Sequence, residues 1–132
     1  MTKTIAFFFA SSLAGCSAQT KTVFIADLEN VCFFPVQIEV QDYSNAKGSG
    51  VQNQYLEPGS VAEVLSYISF SDDLESSFPE TYRLTLSANG SERSLNKQQL
   101  LTQLKRSDYQ RKGNAIHTWA IRDTSLCPRT AP

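Results

Sequence analysis

The residue types that most often do chemistry in proteins are scarce in this chain. Its 132 residues include one histidine, His117, and three cysteines, and no Gly-x-Ser-x-Gly nucleophile motif occurs. His117 lies among strand-forming residues near Trp119, which favours a packed or half-exposed core histidine over a general base. A structural zinc site would need more histidine and cysteine ligands. We therefore expect no enzyme, no metal and no cofactor, but paired carboxylates stay open because their spacing is spatial.

The amino-terminal residues have the three parts of an export signal. Met1 and Lys3 give a positive start, Ile5 to Ala10 give a short apolar run, and Ser11 to Gly15 are mostly small residues near a cleavage point. A transmembrane helix needs about 20 apolar residues, and this run is shorter. Residues 1–15 are therefore predicted to be a signal peptide.

The first cysteine follows this signal directly. Leu13-Ala14-Gly15-Cys16 resembles the lipobox of bacterial lipoproteins. The resemblance implies that the Cys16 thiol is diacylated, that the signal is cut just before it, and that the new amino terminus is acylated. Three fatty chains amount to near-permanent membrane attachment. The alternatives are an ordinary cleaved signal or an N-terminal core strand, with a cysteine there by chance.

The resemblance also implies an address and a short tether. Ser17 is not the aspartate that retains lipoproteins of this class in the inner membrane, so the expected location is the periplasmic face of the outer membrane. Residues 16–22 form a small, polar tether, and the six residues after Cys16 reach about 20 Å at most when extended. The domain predicted over residues 23–132 should therefore lie close to the lipid surface, and so should its partner.

The other two cysteines are expected to form a disulfide. If Cys16 carries lipid, Cys32 and Cys127 remain as an even pair in an oxidising compartment. The chain-entropy model gives about 4 to 5 kcal/mol for a loop of roughly 95 residues. Two buried free thiols are the alternative.

Charge argues against one class of partner. The whole chain has a formal net charge of −1, and loss of Lys3 with the signal makes the mature chain slightly more acidic. This balance excludes non-specific nucleic-acid binding. The acids concentrate between Asp27 and Glu80 and the bases between Thr81 and the end, and such an asymmetry can orient a partner unless the two halves interleave in the fold.

The hydrophobic pattern predicts a mainly β domain. Residues 22–26 are dense in strand formers and are expected at a sheet edge, and Val36 to Gln41 alternate strictly between apolar and polar residues. Residues 44–53 are predicted to be a loop. The segment 61–70 is predicted to be a strand, with apolar residues on both faces.

The second half of the chain predicts a hairpin, a helix and a last strand. Asn89-Gly90 suits a type I′ turn between residues 82–86 and 92–95. Asn96 and Gln99 can form a capping box, and a narrow leucine stripe follows. Residues 115–122 are expected to form a central strand. Because βαβ units are absent, the fold class is α+β, mainly β: an antiparallel β-sandwich or small barrel with one late helix.

Basic residues and one aromatic side chain crowd the end of the predicted helix and the loop after it. This possible partner surface comprises Lys105, Arg106, Tyr109, Arg111 and Lys112. A buried aromatic at its centre would suit a protein contact, anionic lipid head groups would suit the charges alone, and a solvated helix end is the third interpretation.

Together these patterns favour a docking or assembly subunit of an envelope complex, such as a secretion apparatus. The alternative is an immunity protein or an inhibitor of a cell-wall hydrolase or toxin, because these proteins are also small, secreted and often disulfide-linked. Both interpretations require a protein partner in the envelope.

Overall fold

The computed structural model describes residues 21–47 and 50–128. The predicted signal peptide, the lipobox and most of the tether lie outside the described residues, as does the acylation expected at Cys16. Within the described ranges no helix is long and apolar enough to cross a membrane.

The described part is a β-sandwich with one α-helix, which confirms the predicted fold class. Its elements in chain order are β1 (Thr22–Glu29), β2 (Val36–Gln41), β3 (Val51–Leu56), β4 (Val61–Ser69), β5 (Arg83–Ala88), β6 (Ser91–Asn96), α1 (Lys97–Lys105), β7 (Asp108–Lys112) and β8 (Ile116–Ile121). Short 3-10 helices span Glu75–Ser77 and Thr124–Leu126.

The strands form two separate four-stranded sheets. The first sheet has the order β4-β1-β8-β7 and the second has the order β3-β2-β5-β6. Strands β1 and β8 pair in parallel, whereas the other neighbours are antiparallel. Strand β1 therefore lies inside its sheet, and the expectation that it pairs at an edge was wrong. Strand β8 also lies between two neighbours, as expected for a central strand.

Period-2 alternation builds the core between the sheets. Phe24, Ala26 and Leu28 of β1 are buried, and Val36 and Ile38 of β2 face them from the other sheet. Full burial of such a side chain is worth about 1.5 to 3 kcal/mol. A polar residue at any of these positions would remove that gain and bury an unpaired group.

A β-bulge explains the mixed pattern of β4. Ala26 pairs with Leu65 and Asp27 pairs with Glu63, which leaves Val64 as the extra residue. Val64 and Leu65 are both completely buried. Two neighbouring residues can be buried in this way because a bulge interrupts the alternation.

The local turn and capping predictions are confirmed. Asn89 and Gly90 have φ angles of 54° and 79°, as a type I′ turn requires. The Asn96 side chain accepts from the Gln99 main-chain N–H, and the Gln99 side chain accepts from the Asn96 N–H, which completes the capping box of α1.

Two segments differ from the predicted loops. Strand β3 begins at Val51, so the loop predicted over residues 44–53 ends earlier than expected. The segment after the helix contains β7 and forms a hairpin with β8 instead of an irregular connection. Both strands lie at sheet edges and are exposed at every residue except Leu56, so their sequences lack the apolar alternation of β2.

Candidate docking surface

The loop that joins β1 to β2 carries the most exposed large apolar side chain of the described residues. Phe33 is 100% exposed, whereas its neighbour Cys32 is 8% exposed and Phe34 packs partly against the core. The side chains of Cys32 and Phe34 thus point toward the core, and the side chain of Phe33 between them points toward solvent. We call residues 31–34 the Phe33 loop.

Asn30 holds the Phe33 loop from below through its side chain. The residue is 4% exposed. Its Nδ2 donates to the carbonyl oxygens of Phe34 at 3.0 Å and of Leu56 at 2.9 Å, and its Oδ1 accepts from the Cys32 N–H at 2.8 Å. Any movement of the Phe33 loop would break these bonds and leave buried polar groups unpaired, which is costly. The Asn30 side chain therefore holds the surrounding backbone in place.

The main chain of Asn30 ties the same loop to the turn before β4. Its N–H donates to the Ser60 carbonyl at 2.9 Å, and its carbonyl accepts from the Gly59 N–H at 2.8 Å. Gly59 has a φ of +84°, which side chains rarely tolerate. The Phe33 loop and this turn therefore form one hydrogen-bonded unit.

The predicted disulfide is present and completes this unit. The Sγ atoms of Cys32 and Cys127 are bonded, and their Cα atoms are 5.8 Å apart across a sequence separation of 95. Cys127 directly follows the 3-10 helix Thr124–Leu126, which is capped by the Asp123 side chain. The bond therefore joins the Phe33 loop to the last turn of the described chain.

An open apolar groove of about 380 Å³ lies beside the disulfide. Its lining includes Val31, Phe33 and Phe34 from the Phe33 loop, and Thr124 and Pro128 from the carboxy-terminal turn. The exposed ring and the groove form a continuous apolar surface on a rigid support. Such a patch on a folded domain is typical of a contact site.

The Phe33 loop lies at the end of the sandwich opposite Thr22, the first residue of β1. Strand β1 runs from Thr22 to Glu29 and its carboxyl end leads into the loop. Eight residues of β-strand span about 23 Å from first to last Cα. We call this end the distal pole and the end containing Thr22 the proximal pole.

The residues of the predicted basic surface are divided between the end of α1 and the edge strand β7. Lys105 and Arg106 lie at the end of α1, and Arg106 donates to Gln103 at 3.0 Å. Tyr109 and Arg111 share one face of β7, and Lys112 takes the other face because strand side chains alternate. The five residues are all exposed.

His117 belongs to an aromatic stack on this edge. Its ring lies 5.2 Å from that of Phe24, and Tyr109 lies 5.3 Å from the Trp119 ring. The Tyr109 hydroxyl and the His117 Nδ1 share a hydrogen bond of 2.5 Å. These contacts fit the predicted half-exposed core histidine, and they occupy the nitrogen nearest Tyr109.

The clearest carboxylate pair lies on the outer face of the first sheet. Asp27 and Glu63 are directly opposite each other on β1 and β4. Burial, and then the charge of Glu63, raise the pKa of Asp27, whereas Lys47 binds Glu63 at 2.8 Å and opposes that shift. Asp27 is not among the residues that line the neighbouring groove at Glu63. The raised pKa of Asp27 therefore follows from its burial beside a like charge, and the groove adjoins Glu63 alone of the two carboxylates.

Two Ser-x-x-Lys sequences occur, and in neither does the lysine bind its serine. The Lys47 Nζ donates to Glu63, while the Ser44 Oγ accepts main-chain N–H groups. The Lys97 Nζ donates to the Phe78 carbonyl at 2.7 Å, while Ser94 bonds to a threonine hydroxyl. Neither serine is activated by its lysine in this arrangement.

The described residues hold no group of three or more His, Cys, Asp or Glu side chains that could bind a metal ion. No family model, no curated protein and no solved structure matches the chain.

Sequence reasoning found the disulfide but missed Phe33 and Asn30. Both residues adjoin Cys32 in the chain, so the cysteine marked the region without indicating their roles. The exposure of Phe33 depends on long-range bonds from Asn30 to Leu56 and from Cys32 to Cys127. A local pattern contains no signal for either bond.

Proposed function

We propose that the chain is a lipid-anchored docking subunit of the bacterial envelope, and that its distal pole is the surface that contacts the partner protein. The observation that carries the proposal is the full exposure of Phe33 on a loop fixed by Asn30 and the disulfide. The anchor follows from the lipobox-like residues that end at Cys16.

Full exposure leaves the Phe33 ring without the gain that burial gives. Burying a phenylalanine side chain is worth about 1.5 to 3 kcal/mol, and a partner pocket can provide this gain. The ring costs little to immobilise because its backbone is already held by Asn30. A preorganised aromatic anchor loses less entropy on binding than a mobile one.

The position of the loop favours a protein partner over lipid. The tether joins the chain at Thr22 on the proximal pole, whereas Phe33 lies in the loop beyond the other end of β1, and that end is about 23 Å from Thr22. With the proximal pole near the membrane, the distal pole faces the periplasmic space. The expected partner therefore has an apolar pocket for one aromatic ring and is exposed close to the same membrane.

The proposal can be tested with a photoreactive amino acid placed at position 33 of the full chain in living bacteria. Phe70 at the proximal pole is the matched control, because it is 64% exposed and also aromatic. We expect one crosslinked protein species from position 33 and none of that species from position 70. The purified species should then bind the purified chain, and Phe33→Ser should weaken that binding at least about tenfold.

Crosslinks of equal yield from both positions, or binding that is unchanged by Phe33→Ser, would contradict the docking role. A crosslinked hydrolase or toxin would favour the inhibitor alternative, whereas a component of an envelope complex would favour the assembly role. Both results retain the distal pole as the contact surface.

The anchor has a separate test. Cys16→Ser removes the thiol, so a palmitate analogue that labels the unchanged chain in bacteria should not label this variant. Cys32 is a poor substitute acceptor because it is bonded to Cys127. Label that persists in the Cys16→Ser chain would refute acylation at this position.

A further inference from the structure

The free edge of the first sheet offers a second contact surface. All five residues of β7 are exposed, and within the described ranges its main chain bonds only to β8. The opposite edge of the same sheet is covered: the Ser66 N–H donates to the Tyr43 carbonyl, and the Asn45 side chain bonds both the N–H and the carbonyl of Ile68. The fold therefore covers β4 and leaves β7 open.

We propose that β7 pairs with β7 of a second copy of this chain in an antiparallel, two-fold symmetric contact centred on Gln110. In this register Asp108 of each copy lies opposite Lys112 of the other, and Tyr109 of each lies opposite Arg111 of the other. Strand Asp108–Lys112 is thus complementary to itself when it is read in reverse. A symmetric contact of this kind closes as a dimer and does not continue as a fibre.

The chemistry of each facing pair is favourable. Opposite charges and aromatic contacts directly across an antiparallel pair stabilise it, whereas like charges destabilise it. Lysine and arginine on an edge strand ordinarily discourage pairing. In the register centred on Gln110, however, each base faces an acid or an aromatic ring, so only this antiparallel register is favoured.

The aromatic stack gives the contact a further apolar surface. Tyr109 is 48% exposed and rests on His117 and Trp119 on the inner face of the sheet. Pairing would bring the Arg111 guanidinium of the second copy toward the Tyr109 ring. A guanidinium near an aromatic face is attracted to it.

Strand β3 of the other sheet is the matched comparison. It is also an exposed edge, and Asn53 lies near its middle. Its sequence contains no charged residue, so self-pairing there would gain no ion pair. We therefore expect dimerisation at β7 and not at β3.

A five-residue edge buries less area than a standard stable interface, so the dimer is expected to be weak in dilute solution. Confinement of two copies to one membrane leaflet raises their effective concentration and would favour the dimer. The inference does not depend on the docking role of the Phe33 loop, which lies at the distal pole.

Cysteine crosslinking tests the register. Opposite Cα atoms in an antiparallel pair are about 4.5 to 5.5 Å apart, which lies within the range for a disulfide. In the full chain carrying Cys16→Ser, purified in a non-ionic detergent, an added cysteine is the only free thiol because Cys32 and Cys127 are bonded. Under mild oxidation, Gln110→Cys should form a covalent dimer several times faster than Asn53→Cys.

Charge exchange tests the pairing itself. Asp108→Lys alone, or Lys112→Asp alone, sets like charges opposite each other at both symmetric positions and should lower the association constant about tenfold. The double variant with both changes restores two opposite-charge pairs and should restore association. Each variant also carries Gln110→Cys for the crosslinking measurement, and its thermal unfolding shows that the fold is kept.

Equal dimer formation by Gln110→Cys and Asn53→Cys would overturn the proposal. A double variant that associates no better than the two single variants would overturn the register, and with it the self-pairing of β7.

Discussion

Phe33 and Phe78 lie in loops at opposite poles of the sandwich and have opposite surroundings. Phe33 is fully exposed at the distal pole, whereas Phe78 is 4% exposed at the proximal pole. Phe78 packs edge-on to Tyr82 at 5.3 Å, and the Lys97 Nζ lies 4.8 Å over its ring. Both residues are in irregular connections, so the difference arises from what surrounds them and not from the residue type.

The two loops also differ in what their tips present to solvent. The proximal loop buries Phe78, although Phe70 at its start is 64% exposed. The tip between them exposes acidic side chains, of which Asp72 accepts a hydrogen bond from the Thr22 hydroxyl. The distal loop buries its hydrogen bonds and exposes its aromatic ring. This contrast teaches that the apolar tip of the distal pole is a supported feature of the fold, because the residues beneath it are fully bonded.

The largest expected effect concerns the support of the distal pole. Replacing both Cys32 and Cys127 with alanine should lower the free energy of unfolding by about 4 kcal/mol, because the bond closes a loop of nearly the whole domain. Chemical denaturation of the oxidised chain and the variant measures the difference. A loss below about 1 kcal/mol would mean that the disulfide contributes little to the stability of the fold that supports the distal pole.

The two phenylalanines themselves give the next effect. Phe78→Ala should cost about 3 kcal/mol because it leaves a cavity among Tyr67, Tyr82 and Lys97. Phe33→Ala should change stability by less than about 0.5 kcal/mol, as is usual for a surface substitution. Equal losses for the two variants would show that Phe33 packs against the domain and is not a free anchor.

A smaller effect distinguishes the buried amide of Asn30 from an exposed amide. Asn30→Ala should cost about 2 kcal/mol because it removes the buried hydrogen bonds of the amide to the Leu56 carbonyl and from the Cys32 N–H. Asn45→Ala is the control: its amide also makes two hydrogen bonds, to Ile68, but in an exposed position where water can replace them. Denaturation curves that shift equally for both variants would contradict the supporting role of Asn30.

The smallest expected effect is a pair of opposite pH dependences. Hydrogen bonds from the Gln103 side chain, and then from Ser125, lower the pKa of Asp123 at the distal pole. The contribution of the ionised Asp123 to folding stability is therefore present above pH 3.8 and is lost as the pH falls through the lowered pKa. Burial and Glu63 raise the pKa of Asp27, so ionisation of Asp27 destabilises the fold as the pH rises above 3.8.

Asparagine substitutions measure whether the charge of each carboxylate stabilises or destabilises the fold. At pH 7, Asp123→Asn should destabilise the chain and Asp27→Asn should stabilise it, each by about a few tenths of a kcal/mol because both side chains are only partly buried and water still screens their charges. Below both pKa values the carboxyls are neutral, so each difference should diminish. Differences of the same sign at pH 7 would contradict the assigned causes.

Strand β2 and strand β4 show how far the sequence can predict this fold. The strict alternation of β2 predicts both the strand and its buried residues, because the strand has one core face and one solvent face. The apolar run of β4 predicts the strand but not the bulge at Val64, because a bulge is set by pairing with β1. The partner of β4, and therefore the cause of its irregularity, is distant in the sequence.

Edge strands and the candidate site mark the limit of sequence reasoning. Strands β3 and β7 are polar on both faces, so only pairing with β2 and β8 makes them strands. The sequence predicts the bonded pair because only two cysteines remain if Cys16 carries lipid, as the resemblance to a lipobox implies. The exposure of Phe33 requires the position of Asn30 beneath it, which arises only when the turn before β4 and the disulfide come together.

The most direct test of the account combines two readouts on the same variant, Phe33→Ser in the full chain. Its free energy of unfolding and its binding to the species crosslinked from position 33 are measured beside those of Phe70→Ser. The account predicts unchanged stability for Phe33→Ser together with binding at least about tenfold weaker, and unchanged binding for Phe70→Ser. Retained binding by Phe33→Ser, with its fold intact, would contradict the distal pole as the docking surface.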